Sequence, residues 1–100
     1  MDAPTKPARP ASQPDPERFL LEGRLVTLPR RRQDKELVRR YLAARVIPLD
    51  TTLTEREVTE RLARLADDPL GARRGLVEAG LLERTIDGAA YWRTATTEFD

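Results

Sequence analysis

The stretch GLVEAGLLERTIDGAAYWR, Gly75 to Arg93, constrains the fold more than any other part of this chain. Gly80 supplies a left-handed stop for a preceding helix. LLER and AAYWR then alternate around Asp87-Gly88, the pair favoured in a two-residue hairpin turn because both positions take positive φ. That turn fixes a register. Ile86 faces Ala89, Arg84 faces Tyr91 and Glu83 faces Trp92, and a guanidinium over the tyrosine ring would add roughly 0.5–1 kcal/mol.

The helix that feeds this hairpin starts at DPLGARRG. Asp68 is a good N-cap and Pro69 suits the first helical position. A spacing of 100° per residue sets Ala72, Leu76 and Ala79 inward. It sets Gly71, Arg74, Gly75 and Glu78 outward and leaves Arg73 at the edge. There Arg73 is expected to pair with Asp68 or Asp67, since charges beside a core are normally paired. One helix earlier, LTEREVTERLARL opens on a capping box. Thr54 caps, Glu57 reaches back, and Leu53 can staple onto Val58. Val58, Leu62 and Leu65 then line one face.

Upstream, GRLVTLP reads as a short strand stopped by Pro29. RRRQDKELVRRYLAARVIP carries Leu37, Val38, Tyr41 and Leu42 on one stripe, a helix over about 33–46 that ends before Pro48. The order is strand, three helices, hairpin, with about three residues between the second and third helices. It predicts an α+β winged helix-turn-helix-like domain.

Residues 1–18 hold five of the eight prolines and no large apolar residue after Met1. They read as a disordered Pro-rich tail without the apolar core a secretory signal needs. Residues 94–100 read as a C-terminal tail. The domain is therefore 19–93, and a core of that size supplies on the order of 3–5 kcal/mol. No run of the chain is long and apolar enough to span a membrane.

The chain has no cysteine and no histidine, which removes thiol nucleophiles, the commonest general base and structural zinc. No metal or cofactor is expected, and no enzymatic activity. Absence of cysteine fits a cytoplasmic protein. Sixteen arginines against two lysines point to a GC-rich bacterial source.

At this point the pieces taken together resemble a bacterial domain of unknown function. They are GRLVTLP before a basic helix, LTEREV, DDPLGARRGLVEAGLLER and DGAAYWR. The chain departs from that family at Leu53, at Thr59 and near Val46, where an aromatic residue, an asparagine and a phenylalanine are usual. The resemblance implies a compact winged-helix-like fold and a link to transcription. Such domains occur alone or fused behind ArsR-type regulator domains. It implies no established activity.

Net charge is only +1, but it is unevenly spread. Residues 29–49 hold seven basic side chains against Asp34 and Glu36, a local +5. Residues 50–68 hold six acids against three arginines, a local −3. Arg30, Arg31 and Arg32, with Arg39 and Arg40, are the expected contacts to double-stranded DNA phosphates, though a run of charge also serves as a solvated face. Arg74 is the one plausible base reader on its helix, and the hairpin tip TIDGAA lacks the basic residue expected of a minor-groove wing. The alternative is a protein-interaction module that uses Tyr91 and Trp92 to form a homodimer or dock on a regulator protein. Trp92 is expected to face the core, because large residues are few.

Overall fold

The computed structural model describes residues 15–100. The first 14 residues, and with them most of the expected Pro-rich tail, lie outside the described residues. The described chain is α+β. A 3₁₀ turn, Pro16–Phe19, precedes α1 (Arg32–Val46), β1 (Thr52–Leu53), α2 (Glu55–Ala63), α3 (Pro69–Glu78), β2 (Leu82–Arg84) and β3 (Tyr91–Arg93). The antiparallel sheet has the order β1-β3-β2, so the last strand lies in the middle.

The helix starts behave as their caps dictate. Thr54 Oγ1 accepts from the Glu57 amide at 3.1 Å, and Glu57 Oε1 accepts from the Thr54 amide at 2.9 Å. Those bonds hold the Glu57 carboxyl below its ordinary range, the Thr54 amide contributing most. Asp68 Oδ1 accepts from the Gly71 amide at 3.0 Å. Gly80 leaves α3 at φ +77°. The faces that the caps align bury one core, with Val38, Leu42 and Val46 from α1, Leu53 from β1, Val58 and Leu62 from α2, Leu76 from α3, and Leu82 and Tyr91 from the hairpin.

Several local expectations yield to tertiary contacts. GRLVTLP is not a strand. It makes two isolated bridges, Arg24 back to Leu21 and Leu25 parallel to Ala66, because the backbone beside Leu25 is the α2–α3 turn. The Leu25 amide donates to Leu65 O at 2.7 Å and the Asp67 amide donates to Leu25 O at 2.9 Å. The third strand is instead Thr52–Leu53, paired with β3. On α3, Gly75 is buried and Ala79 exposed, the reverse of the wheel's assignment, because α1 crosses at Gly75.

The hairpin keeps its predicted register, Glu83 opposite Trp92 and Arg84 opposite Tyr91. Its turn is different. Asp87 does not take positive φ; Gly88 alone in the loop does, at +75°. The Gly88 amide donates to Thr85 O at 2.9 Å. The Asp87 carboxylate instead accepts from Thr85 Oγ1 at 2.7 Å and from the Ala89 amide at 3.0 Å, which makes a four-residue loop over 86–89.

Both ends of the expected domain extend. Asp15 caps the 3₁₀ turn and Pro16 is buried, so structure begins before Phe19. Residues 94–100 fold back as a strap. Phe99 meets Tyr41 edge-on at 5.6 Å, Glu98 accepts from Arg40, and Asp100 binds Arg93. The reason is Arg93, whose side chain is fully buried and needs an anion.

Candidate nucleic-acid interface

Helix α1 begins without a side-chain cap. Arg31 is its N-cap with extended backbone (φ −66°, ψ 131°), and no side chain accepts from the first amides. The first helical bond is from the Lys35 amide to Arg31 O at 2.9 Å. The amides of 32–34 thus add the positive end of the helix to the run Arg30-Arg31-Arg32. All three arginines are exposed. Arg32 Nε lies 3.5 Å from Glu36 with its side chain 90% exposed, an interaction worth little in water. Arg30 and Arg31 have no ion-pair or hydrogen-bond partner among the described residues. The helix start therefore carries exposed positive charge.

Arg39 and Arg40 leave this group. Arg40 Nε donates to both Glu98 oxygens, at 2.9 and 3.1 Å, and so holds the C-terminal strap. Arg39 is half-buried and lies across α3, with its guanidinium where a side chain at Gly75 would begin. Neither projects freely toward solvent, as the charge count alone had suggested. Glu36, Arg39 and Arg40 share a recess with Ala79 and Leu81, so the N-terminal half of α1 runs beside the C-terminal end of α3.

Between α3 and the hairpin lies a cleft of about 350 Å³, lined by Arg73, Arg74 and Arg84 and by the acids Glu55 and Glu78. Arg74 is exposed on its α3 wall and Arg84 on its hairpin wall. Arg74 has no partner among the described residues, while Arg84 makes only long bonds to its own turn carbonyls, at 3.3 and 3.4 Å. Arg84 was not among the expected contacts. The hairpin register places it beside Tyr91, but nothing local shows that α3 closes the other side.

Arg73 forms the floor and is structural, though not with Asp68 or Asp67. Asp68 is occupied as a cap and Asp67 by Arg24 at 2.9 Å. Arg73 Nη1 donates to Thr59 Oγ1 at 2.7 Å, Nη2 lies 3.8 Å from Glu55, and the guanidinium sits 5.9 Å from the Tyr91 ring centre. This cation–π contact replaces the one expected from Arg84. The Tyr91 hydroxyl donates to Glu55 Oε1 at 2.8 Å. Burial, and then that bond, push its phenol above the ordinary tyrosine value.

Sheet alternation separates the two aromatic residues expected to act together. Tyr91 is 2% exposed and belongs to the core. Trp92, its neighbour, turns to the outer face beside Thr52 and Glu83, half-buried, and its Nε1 donates to Glu83 Oε1 at 3.2 Å. The core position expected for Trp92 is filled by Tyr91, whose hydroxyl finds an acceptor there.

A family model described as an uncharacterized protein conserved in bacteria (DUF2087) matches residues 24–93. The chain belongs to that family. The match runs from Arg24, which joins the loop before α1 to the α2–α3 turn, to the buried Arg93, and so covers α1–α3 and β1–β3. The family description assigns no activity. No curated protein and no solved structure matches the chain.

Proposed function

We propose that this DUF2087 chain is a winged helix-turn-helix-like protein that binds the phosphate backbone of double-stranded DNA in a cytoplasmic, transcription-linked role. The observation that carries this reading is the exposed Arg30-Arg31-Arg32 run at an uncapped helix start, two of its three side chains unpartnered among the described residues. Arg74 and Arg84, facing the α3–hairpin cleft, are the second set of contacts. The outer face of α3 (Leu70, Gly71, Arg74, Glu78) has one side chain suited to base edges, so binding is dominated by backbone and depends weakly on sequence.

Fluorescence anisotropy of a labelled ~20-bp duplex across salt concentrations tests this. The expected slope of log K on log salt is about −3 or steeper, and the R30A/R31A/R32A variant flattens it by roughly two to three. No binding at ~50 mM salt overturns the reading. A second reading, protein docking through the outer sheet face, is favoured by Trp92 and by Ile86, which is fully exposed at the hairpin tip. Such docking would resist salt and be lost in Trp92→Ala.

A further inference from the structure

A separate cleft of about 330 Å³ opens between the Leu25–Leu28 loop, α1 and the start of α3. That is within the range, roughly 300–1,000 Å³, that holds small ligands. Its walls are mostly apolar. Leu25, Val26 and Leu28 come from the loop, Leu42 from α1 and Ala72 from α3. Val26 is half-exposed although it is a large apolar residue.

Two charged side chains and the polar Thr27 line this cleft. Asp68 is already engaged as the α3 cap. Arg39 is half-buried and has no hydrogen bond or ion pair among the described residues. Every other half-buried or buried arginine of the described chain has a partner. Arg24 pairs with Asp67, Arg40 with Glu98, Arg61 with Val46 O, Arg73 with Glu55 and Thr59, and Arg93 with Asp100.

The helix opposite makes room for Arg39. A Cβ on Gly75 would stand 2.9 Å from Arg39 Nη2 and 3.2 Å from Nε. Glycine inside a helix is unfavourable relative to alanine, and here it seats a guanidinium that makes no ion pair among the described residues.

We propose that this cleft binds a small monoanionic amphiphile, a carboxylate with an apolar chain of roughly eight carbons. The carboxylate pairs with Arg39, for which a planar fork of donors is suited. The chain lies along Leu25, Val26, Leu28, Leu42 and Ala72. The site is independent of the DNA reading, which rests on Arg30, Arg31, Arg32, Arg74 and Arg84, none of which lines this cleft.

The test is amide NMR of the full chain titrated with octanoate, with 1-octanol as the neutral probe. Octanoate is expected to shift residues 25–28, 42 and 72 and to bind about tenfold more tightly than octanol. Arg39→Gln removes that preference with an otherwise unchanged spectrum, because Arg39 makes no bond that the fold needs. Val26→Asp, a change at a half-exposed site, weakens octanoate by about tenfold through charge repulsion. The proposal is overturned by the absence of shifts at ~10 mM octanoate, by equal binding of octanol, or by a preference that persists in Arg39→Gln.

Discussion

Arg93 is the residue on which the C-terminal half of the fold depends. Its side chain is fully buried, donates to the Ala43 and Ile47 carbonyls at 3.4 and 3.1 Å, and pairs with Asp100. Removing one partner of such a pair leaves a charge or carbonyls without compensation, at about 3–5 kcal/mol. Arg93→Met is therefore expected to abolish the cooperative urea transition at 25 °C, because the loss matches what a core of this size supplies. The pair also sets a pH dependence. Bonding from Arg93, and then from the Thr97 amide, holds the Asp100 carboxyl below its ordinary range. A depressed carboxyl stabilises the fold above its unfolded pKa, and that contribution is lost as pH falls through the lower, folded value. Thermal melts between about pH 6 and 3 should show stability falling on the acid side. Asp100→Asn should be less stable at neutral pH and show a smaller acid-side fall.

At the scale of elements, the capping box of α2 is the clearest local determinant. Thr54→Ala removes the bond to the Glu57 amide and is expected to cost about 1 kcal/mol in chemical denaturation. Gly80 ends α3 at φ +77°, and a Cβ there would touch nothing within 4 Å. Any cost of Gly80→Ala is then backbone strain alone, about 1 kcal/mol by the same measurement. These elements were legible because their causes lie within four residues of each other: cap, box, stop and hairpin register. GRLVTLP was not. Its alternation is that of a strand, but a strand needs a partner, and the chain beside it is a turn. Thr52–Leu53 became a strand for the converse reason, since β3 runs beside it. Two residues before a helix cap carry almost no periodic signal.

For the whole molecule, the arginines divide by what surrounds them. Arg24, Arg40, Arg61, Arg73 and Arg93 join parts of the chain at least 7 residues apart, from Arg93–Asp100 to Arg40–Glu98 at 58. Arg30, Arg31 and Arg74 are left to solvent or to an anion. The C-terminal strap belongs to this scale as well. Deleting residues 94–100 strands Arg93 and uncovers Tyr41. It should lower Tm by more than roughly 10 °C, at about 4–8 °C per kcal/mol for a domain of this length. Of the candidate site, Arg30, Arg31, Arg32 and Arg74 were legible as exposed charge, while Arg39 and Arg40 were assigned by proximity in sequence to a surface they do not join.

What the sequence by itself determined is what short-range physics governs: three helices, the caps of the second and third, the glycine stop, the hairpin register, and the position of the exposed arginine run. Backbone hydrogen bonds and φ preferences act over a few residues, so a local reading captures them. Only the tertiary structure decided which acid each arginine meets, which of Tyr91 and Trp92 enters the core, and that Arg39 lies over Gly75 beside an apolar cleft. Those outcomes depend on which surfaces meet across 14 or more residues, as Arg73 meets Thr59 and Tyr91 meets Glu55. There, desolvation drives buried charges toward a partner, a carboxylate or a carbonyl, wherever in the chain it comes from.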